Sequence, residues 1–438
     1  MGQLNKLFVM ILLVLSLVSC SNNPGNEIKK ALVAFLDLLS AEQKSKPLAP
    51  FSHKKRNGSD FLPDKSVKSE KKRLGLVMEQ MNSKQKDRTL YSETDSMLSY
   101  SGSNMIKAAN SFLGSLTRDQ KSQAFAEFSH ENRNDWAYLP DYFLPLSSPD
   151  KKRFGLAMKQ MNSNQKKLVV NLLETALSAK GILTTENVRM LEKVIFSLNP
   201  KKPFFDPELY YVSIFGTPSK DKTWAWSFEG HHISINITLV NGHLLSVTPT
   251  FYGAVPTVVL KGEYKGFQVL KDSLMVLKDE ENLVKEIAES LTDDQLKKAF
   301  IQEAPPKEIF SKISDLTKVD TNILDPRKGL KYSEMNLTQQ EKIKDLIKVY
   351  IDKFRPELIK NLDNSPLTEI ETLVFVWVGS LEKGKPHYYR LCTTNHLIEY
   401  DNFVDTNIDA PHVHTVWREF DGDFGEDLLK KHYQTYHH

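Results

Sequence analysis

The chain has 438 residues, 26% of them charged and 40% hydrophobic, with 19 Gly and 20 Pro. That composition excludes collagen-like, low-complexity and polytopic membrane proteins. The 58 Lys and Arg nearly balance the 55 Asp and Glu, leaving a formal charge of +3, so the basic stripe needed to hold a phosphate backbone is missing and nucleic acid is excluded as a partner.

In chain order, Lys6 precedes the apolar run Leu7–Leu17, which leads into Leu17-Val18-Ser19-Cys20. The run is shorter than the ~20 residues that span a bilayer, and residues 1–19 read as a signal peptide. The segment resembles a bacterial lipoprotein signal, which implies a lipid-anchored protein with Cys20 acylated. Ser21 in the following position resembles the pattern for the periplasmic face of the outer membrane. Cys392, the one other cysteine, then has no intramolecular partner, and no disulfide is expected.

A duplication follows. Phe35-Leu36, Gln43-Lys44-Ser45 and Phe51-Ser52-His53 recur 77 positions later as Phe112-Leu113, Gln120-Lys121-Ser122 and Phe128-Ser129-His130. Lys71-Lys72-Arg73-Leu74-Gly75-Leu76 and Gln80-Met81-Asn82-Ser83 return as Lys151-Lys152-Arg153-Phe154-Gly155-Leu156 and Gln160-Met161-Asn162-Ser163. Capping boxes are expected at Ser40/Gln43, Thr117/Gln120, Thr292/Gln295 and Thr338/Glu341, marking helix starts. The Ser-rich stretch 92–104 reads as a linker, so residues 20–104 form an extra helical unit ahead of a domain at 105–438.

Within that domain, 105–200 reads as helical, 206–270 as strand-rich, 280–361 as helical and 370–420 as strand-rich, with a helix at the C-terminus. Ile233, Ile235, Ile237 and Leu239 alternate with Ser234, Asn236 and Thr238, the pattern of a half-buried strand. The turn at Asn241-Gly242 is expected to be a three-residue loop pairing Ile237 with Leu245 and Asn236 with Ser246. The fold class is α+β: helical N-terminal repeats, then a mainly antiparallel sheet with a helical insert.

Several blocks carry a family resemblance. They are Arg133-Asn134-Asp135-Trp136-Ala137-Tyr138-Leu139-Pro140, Trp224-Ala225-Trp226-Ser227-Phe228-Glu229-Gly230-His231-His232-Ile233-Ser234-Ile235-Asn236, Pro386-His387-Tyr388-Tyr389-Arg390, Leu397-Ile398-Glu399-Tyr400-Asp401-Asn402 and His412-Val413-His414 with Val416-Trp417-Arg418. The chain resembles the bacterial and fungal family known as domain of unknown function 3500, over about 105–438. The resemblance implies no activity, so chemistry is read from the residues.

Histidines are the main resource. His412 and His414 stand two apart on a strand and therefore share a face, as do Glu399 and Asp401. Imidazole nitrogens with carboxylate oxygens suit zinc or iron, giving a metal-dependent hydrolase or related metalloenzyme: His412 and His414 as ligands, His232 or His387 as the third, and Glu399 or Asp401 as ligand or base. The alternative is a non-catalytic binding lipoprotein in which Trp136, Trp226, His231, Asn236, Tyr389, Arg390 and Arg418 line a cleft for a small molecule or envelope component. No nucleophile elbow, P-loop or dinucleotide fingerprint occurs.

Overall fold

The computed structural model describes residues 97–426, apart from 144–152, 199–200, 203–204, 260–262, 265–266, 269–273, 303, 312–327, 361, 363–364, 383 and 406–409. The chain divides into two units, Met1–Thr89 and Leu90–His438. The first, with the expected signal peptide and most of the expected extra repeat, lies outside the described residues, as does the expected C-terminal helix.

The α-helices of seven or more described residues are α1 (Met97–Gly114), α2 (Arg118–Ala124), α3 (Ser163–Ala176), α4 (Ala179–Leu198), α5 (Lys278–Glu289), α6 (Asp293–Ala299) and α7 (Leu337–Ile351). The strands are β1 (Phe125–Ala126), β2 (Leu156–Ala157), β3 (Tyr210–Phe215), β4 (Trp224–Gly230), β5 (Ile233–Val240), β6 (His243–Ser246), β7 (Thr250–Ala254), β8 (Phe300–Gln302), β9 (Leu330–Lys331), β10 (Val374–Gly379), β11 (His387–Cys392), β12 (His396–Asp405) and β13 (Ala410–Glu419). They form one 13-stranded sheet in the order β1-β3-β4-β5-β7-β13-β12-β11-β10-β8, with β2 on β3, β6 on β5 and β9 on β10. All pairings are antiparallel except β1 with β3 and β8 with β10. The α+β expectation of helices with a mainly antiparallel sheet holds.

That order reads the same from either edge, because two halves repeat one plan. Ser115-Leu116-Thr117 with Gln120 and Ala124-Phe125 corresponds to Ser290-Leu291-Thr292 with Gln295 and Ala299-Phe300. Likewise Gly155-Leu156, Met161-Asn162 and Gln165 correspond to Gly329-Leu330, Met335-Asn336 and Gln339. The contacts repeat as well. Gln120 Nε2 donates to the Gln160 carbonyl at 2.8 Å and Gln165 Nε2 to that of Ser115 at 2.9 Å; Gln295 Nε2 donates to the Glu334 carbonyl at 2.9 Å and Gln339 Nε2 to that of Ser290 at 2.7 Å. The same Gly-Leu, Met-Asn and Gln spacing stands in the first unit at Gly75-Leu76, Met81-Asn82 and Gln85.

Helices cover one face of the sheet. Phe112 of α1, Leu172 of α3, Leu191 of α4, Ile287 of α5 and Leu346 of α7 form one core with Trp226, Ile235, Trp377, Tyr389 and Ile398 of the strands. The opposite face lies under loops, where Trp136, Tyr138, Phe251, Ile309, Val416 and Phe424 make a second cluster. β5 is therefore buried on both faces, not half-buried; its polar row is satisfied internally, with Asn236 Nδ2 donating to Ser234 Oγ at 3.0 Å and to the Pro249 carbonyl at 2.9 Å.

Three local expectations change. The β5–β6 turn has two residues, Asn241 and Gly242, both left-handed at φ 49° and 79°. Val240 pairs with His243 and Leu239 with Leu244, after which a bulge at Leu245 lets Thr238 meet Ser246; a turn of this hand matches strand twist, and the bulge restores the faces that a plain ladder would have mixed. The last capping box is Asn336/Gln339, two residues before Thr338/Glu341, because Asn336 reaches the Gln339 N–H at 3.0 Å. Finally α1 begins at Met97, inside the stretch read as a linker.

Gly155 (φ +118°) and Gly329 (φ +136°) stand at matching places in the two halves, and a Cβ on Gly329 would lie 2.5 Å from the Phe375 carbonyl oxygen. Gly384 also has positive φ, +80°, but no atom within 4 Å of a would-be Cβ. Gly329→Ala is expected to destabilise the protein by about 2–4 kcal/mol, against about 1 kcal/mol for Gly384→Ala. Urea unfolding of both variants is the measurement; equal losses would show that the close approach at Gly329 is not a constraint.

Candidate metal centre

The centre lies on the loop-covered face at the seam of the two halves, where β7 pairs with β13 and Gly253 stands opposite His414. His232 closes the β4–β5 turn with φ 63°, a conformation costing an ordinary side chain about 1–2 kcal/mol. It is pinned on both sides: its N–H donates to the Tyr138 carbonyl and its own carbonyl accepts from the Gly253 N–H, each at 2.8 Å. A Cβ on Gly253 would lie 2.6 Å from His232 Cδ2 and 3.1 Å from His414 Cδ2, so the missing side chain is what allows the two imidazoles to sit together.

His412 and His414 share a face, as the strand period requires, and complete a trio with His232. One ring nitrogen from each lies within 4.8 Å of the others, and His232 Nε2 is 2.8 Å from His412 Nε2. The far nitrogens face carboxylates: His412 Nδ1 is 3.1 Å from Asp405 Oδ2, and His414 Nδ1 is 2.9 Å from Glu308 Oε1 and 3.3 Å from Asp401 Oδ2. His414 Nε2 is buried with no hydrogen-bond partner among the described residues. A carboxylate behind a metal-binding imidazole fixes its tautomer and orientation.

Electrostatics sort the rings. Burial, with neighbouring imidazoles adding to it, pushes His412 down to about 4 and His232 well below the usual histidine range, so both keep lone pairs at neutral pH. Burial also works against charge on His414, but Glu308 and Asp401 outweigh it and hold that ring up at about 10; a cation would take the place of its Nε2 proton. Burial raises Asp401 to about 6 against the pull of His414.

Beside the trio, His231 stacks on His232 with centroids 3.8 Å apart, and its Nδ1 is 2.7 Å from Glu192 Oε2. Burial lowers His231 to about 3 and raises Glu192 well above the usual carboxyl range, driving both groups toward their neutral forms. Glu192, His231 and His232 form a second group able to hold a metal, and Glu308, Asp401 and His414 a third.

His387 does not join the centre. Its ring lies on the helix-covered face, stacked on Trp377 at 5.0 Å with Nε2 3.1 Å from Glu281 Oε2, because it falls one residue out of phase with the loop-facing row. Glu399 is spent on anchoring a loop: it accepts the N–H groups of Phe310 at 3.0 Å and Ser311 at 3.1 Å, the Ser311 hydroxyl, and Tyr388 Oη at 2.8 Å. Asp401 stands behind His414 and takes its backbone N–H at 2.9 Å.

The residues expected to line an open cleft are dispersed. Trp226 and Tyr389 belong to the helix-side core, Asn236 to the polar row of β5, and Arg390 is fully buried opposite Glu399. Trp136 packs under the Arg418 guanidinium at 5.1 Å, and Arg418 donates to Asp423 and to the Ser311 carbonyl, both at 2.7 Å. A surface cavity of about 310 Å³ is lined by Asn110, Leu113, Gly114, Lys121, Phe125, Thr217 and Pro218, none of them among those seven. Sequence reasoning missed Glu192, Glu308 and Asp405. Glu192 on its helix and Glu308 in its loop carry no periodic signal, whereas Asp405 ends the strand preceding His412 and was within reach of a hairpin argument.

The family model described as "Protein of unknown function (DUF3500)" matches residues 99–426, and the chain belongs to that family. No curated protein and no solved structure matches it. Among the described residues no helix is long and apolar enough to cross a membrane.

In the second half the corresponding turn ends in His396, whose Nδ1 accepts the Trp417 indole N–H at 3.3 Å. Burial lowers His396 to about 4, so below about 6.5 the unfolded chain takes up a proton that the folded chain refuses until about pH 4. Stability from this group is thus intact above pH 6.5 and lost as pH falls toward 4, by up to about 1.4 kcal/mol per unit. His396→Asn keeps an acceptor for Trp417. Its stability deficit relative to wild type at pH 8 is expected to shrink at pH 5, and a deficit that does not vary with pH in thermal melts would refute this account.

Proposed function

We propose that this member of the DUF3500 family is a metalloprotein whose three-histidine centre, His232, His412 and His414, holds zinc or iron and supports metal-dependent hydrolysis or a related reaction. One observation carries the reading: three imidazoles from opposite halves of the fold converge at the seam, two of them with carboxylates on the far nitrogen. Three histidines leave a coordination position open. A bound cation there would polarise a substrate oxygen and acidify water.

The chain's own residues divide the remaining work. Asp405 orients His412, while Asp401 and Glu308 orient His414. His412 is the most exposed of the three histidines, its side chain being 13% exposed. His231, held by Glu192, stacks on the ligand His232 and supports it from the side. Neither Glu399 nor Asp401 fits the role of base, since the first is saturated by the loop it anchors and the second is committed to His414.

The same reading places the protein in the bacterial cell envelope, lipid-anchored through Cys20 and facing the periplasm from the outer membrane, acting on a small molecule or envelope component. The sequence Leu17-Val18-Ser19-Cys20 after an apolar run supports this. Attachment through acyl chains gains ~0.8 kcal/mol per buried CH₂.

Two experiments test these points. Full-length protein purified without a histidine tag should contain about one equivalent of zinc or iron per chain, and His412→Ala combined with His414→Ala should abolish it; elemental analysis that finds no metal in repeated wild-type preparations would end the metalloprotein reading. Cells fed a fatty-acid analogue should label the wild-type protein and not Cys20→Ser, and equal labelling of the two would defeat the anchor.

A further inference from the structure

The loop 304–311 between β8 and β9 is held at several points and delivers one side chain to the centre. Its far end is clamped by the Glu399 contacts with Phe310 and Ser311 and by Arg418 Nη1 donating to the Ser311 carbonyl at 2.7 Å, Arg418 itself being fixed by Asp423. Ile309 is buried with Trp136, Tyr138 and Phe251. Tyr138 stacks on Phe251 with centroids 3.8 Å apart, and both rings border His414, at 5.8 and 5.4 Å. Immediately before these two anchorages stands Glu308.

Glu308 Oε1 makes the shorter of the two carboxylate contacts to His414 Nδ1, 2.9 Å against 3.3 Å for Asp401, whose other oxygen is occupied by the His414 backbone N–H. Glu308 Oε1 also accepts the Ile309 N–H at 3.0 Å. Among the described residues, His414 is the only charged partner in contact with either carboxylate.

We propose that Glu308 is the positioning residue of the metal centre: it holds the His414 ring with Nε2 turned toward His232 and His412, and the Glu399 and Arg418 clamp holds Glu308 in place. The inference rests on the metalloprotein reading. A carboxylate on the distal nitrogen of a metal-binding imidazole fixes its tautomer and orientation, and removing such a partner weakens metal affinity by about 10–100-fold. The competing role for Glu308 is a plain staple, an ion pair that ties a loop to the sheet. The two differ in what they move: a staple changes the stability of the metal-free protein, whereas a positioning residue changes affinity.

The test uses the full-length protein stripped of metal. Zinc affinity is measured by competition with a chromophoric chelator, cobalt binding by its visible absorption, and the metal-free melting temperature alongside. Glu308→Gln and Glu308→Ala are expected to weaken zinc binding about 10–100-fold while the metal-free protein melts within a few degrees of wild type, and Glu308→Asp should recover part of the affinity. Ser311→Ala, which loosens the clamp but leaves Glu308 intact, should weaken zinc binding several-fold and stands in for any Glu308 variant that fails to fold. Unchanged zinc affinity with a lowered metal-free melting temperature would overturn the positioning role in favour of the staple. Wild-type protein that takes up neither zinc nor cobalt would overturn the metalloprotein reading itself, a different result from wild type binding metal and the variants binding it equally well.

Discussion

Everything at the centre depends on one antiparallel pairing, that of β7 with β13. It joins the two halves into a continuous sheet and places Gly253 opposite His414, so that His232 on one side and His414 on the other lean into space a side chain would have filled. Side chains alternate faces with a period of two. A slip of one residue in this register would send His412 and His414 to the helix-covered face and leave His232 alone. The remaining pairings of both halves serve to hold that register.

The repeated plan explains both the symmetry of the scaffold and the asymmetry of the site. Each half supplies two capped helices, an edge pair and a run of antiparallel strands, and the glutamine contacts between capping boxes agree within a few tenths of an ångström. The halves diverge at the turn after their second long strand. In the first, a two-residue turn carries His231 and His232 toward the seam; in the second, the four residues from Thr393 to His396 fold back on Glu369 and Trp417. The first turn brings its histidines to the seam, and the second holds its own away from it.

Buried carboxylates are costly unless each is committed to a partner, and here each commitment has a separate purpose. Glu399 ties down the loop 304–311, Asp401 and Glu308 face His414, Asp405 faces His412, and Glu192 faces His231. Charge is therefore concentrated on the loop-covered face near the seam. On the helix-covered side Lys353 meets Glu280 and His387 meets Glu281, and His387 stands level with Asn402 and Val413 on the opposite side of the sheet from the three histidines.

Much of this was legible in the sequence, and the limit has a physical cause. The family blocks, the α+β class and the pairing of His412 with His414 on one face follow from residue patterns and the strand period, which are local. Thr117/Gln120 and Thr292/Gln295 announced their helices because a capping box is complete within four residues. Which face of the sheet a row of side chains occupies is not local: His387 and Glu399 looked equivalent to His232 and Asp401 until the order of strands put His387 among helices and saturated Glu399 with a loop. Glu192 and Glu308 were invisible for the same reason, since a carboxylate from a helix core or an irregular loop acquires a role only when tertiary packing brings it to a ring more than thirty residues away in the chain. The sequence by itself determined which residue types could build a centre and on which strands; the tertiary structure decided which of them meet, because convergence depends on register and on the absent side chain at Gly253, and neither is written in any one segment.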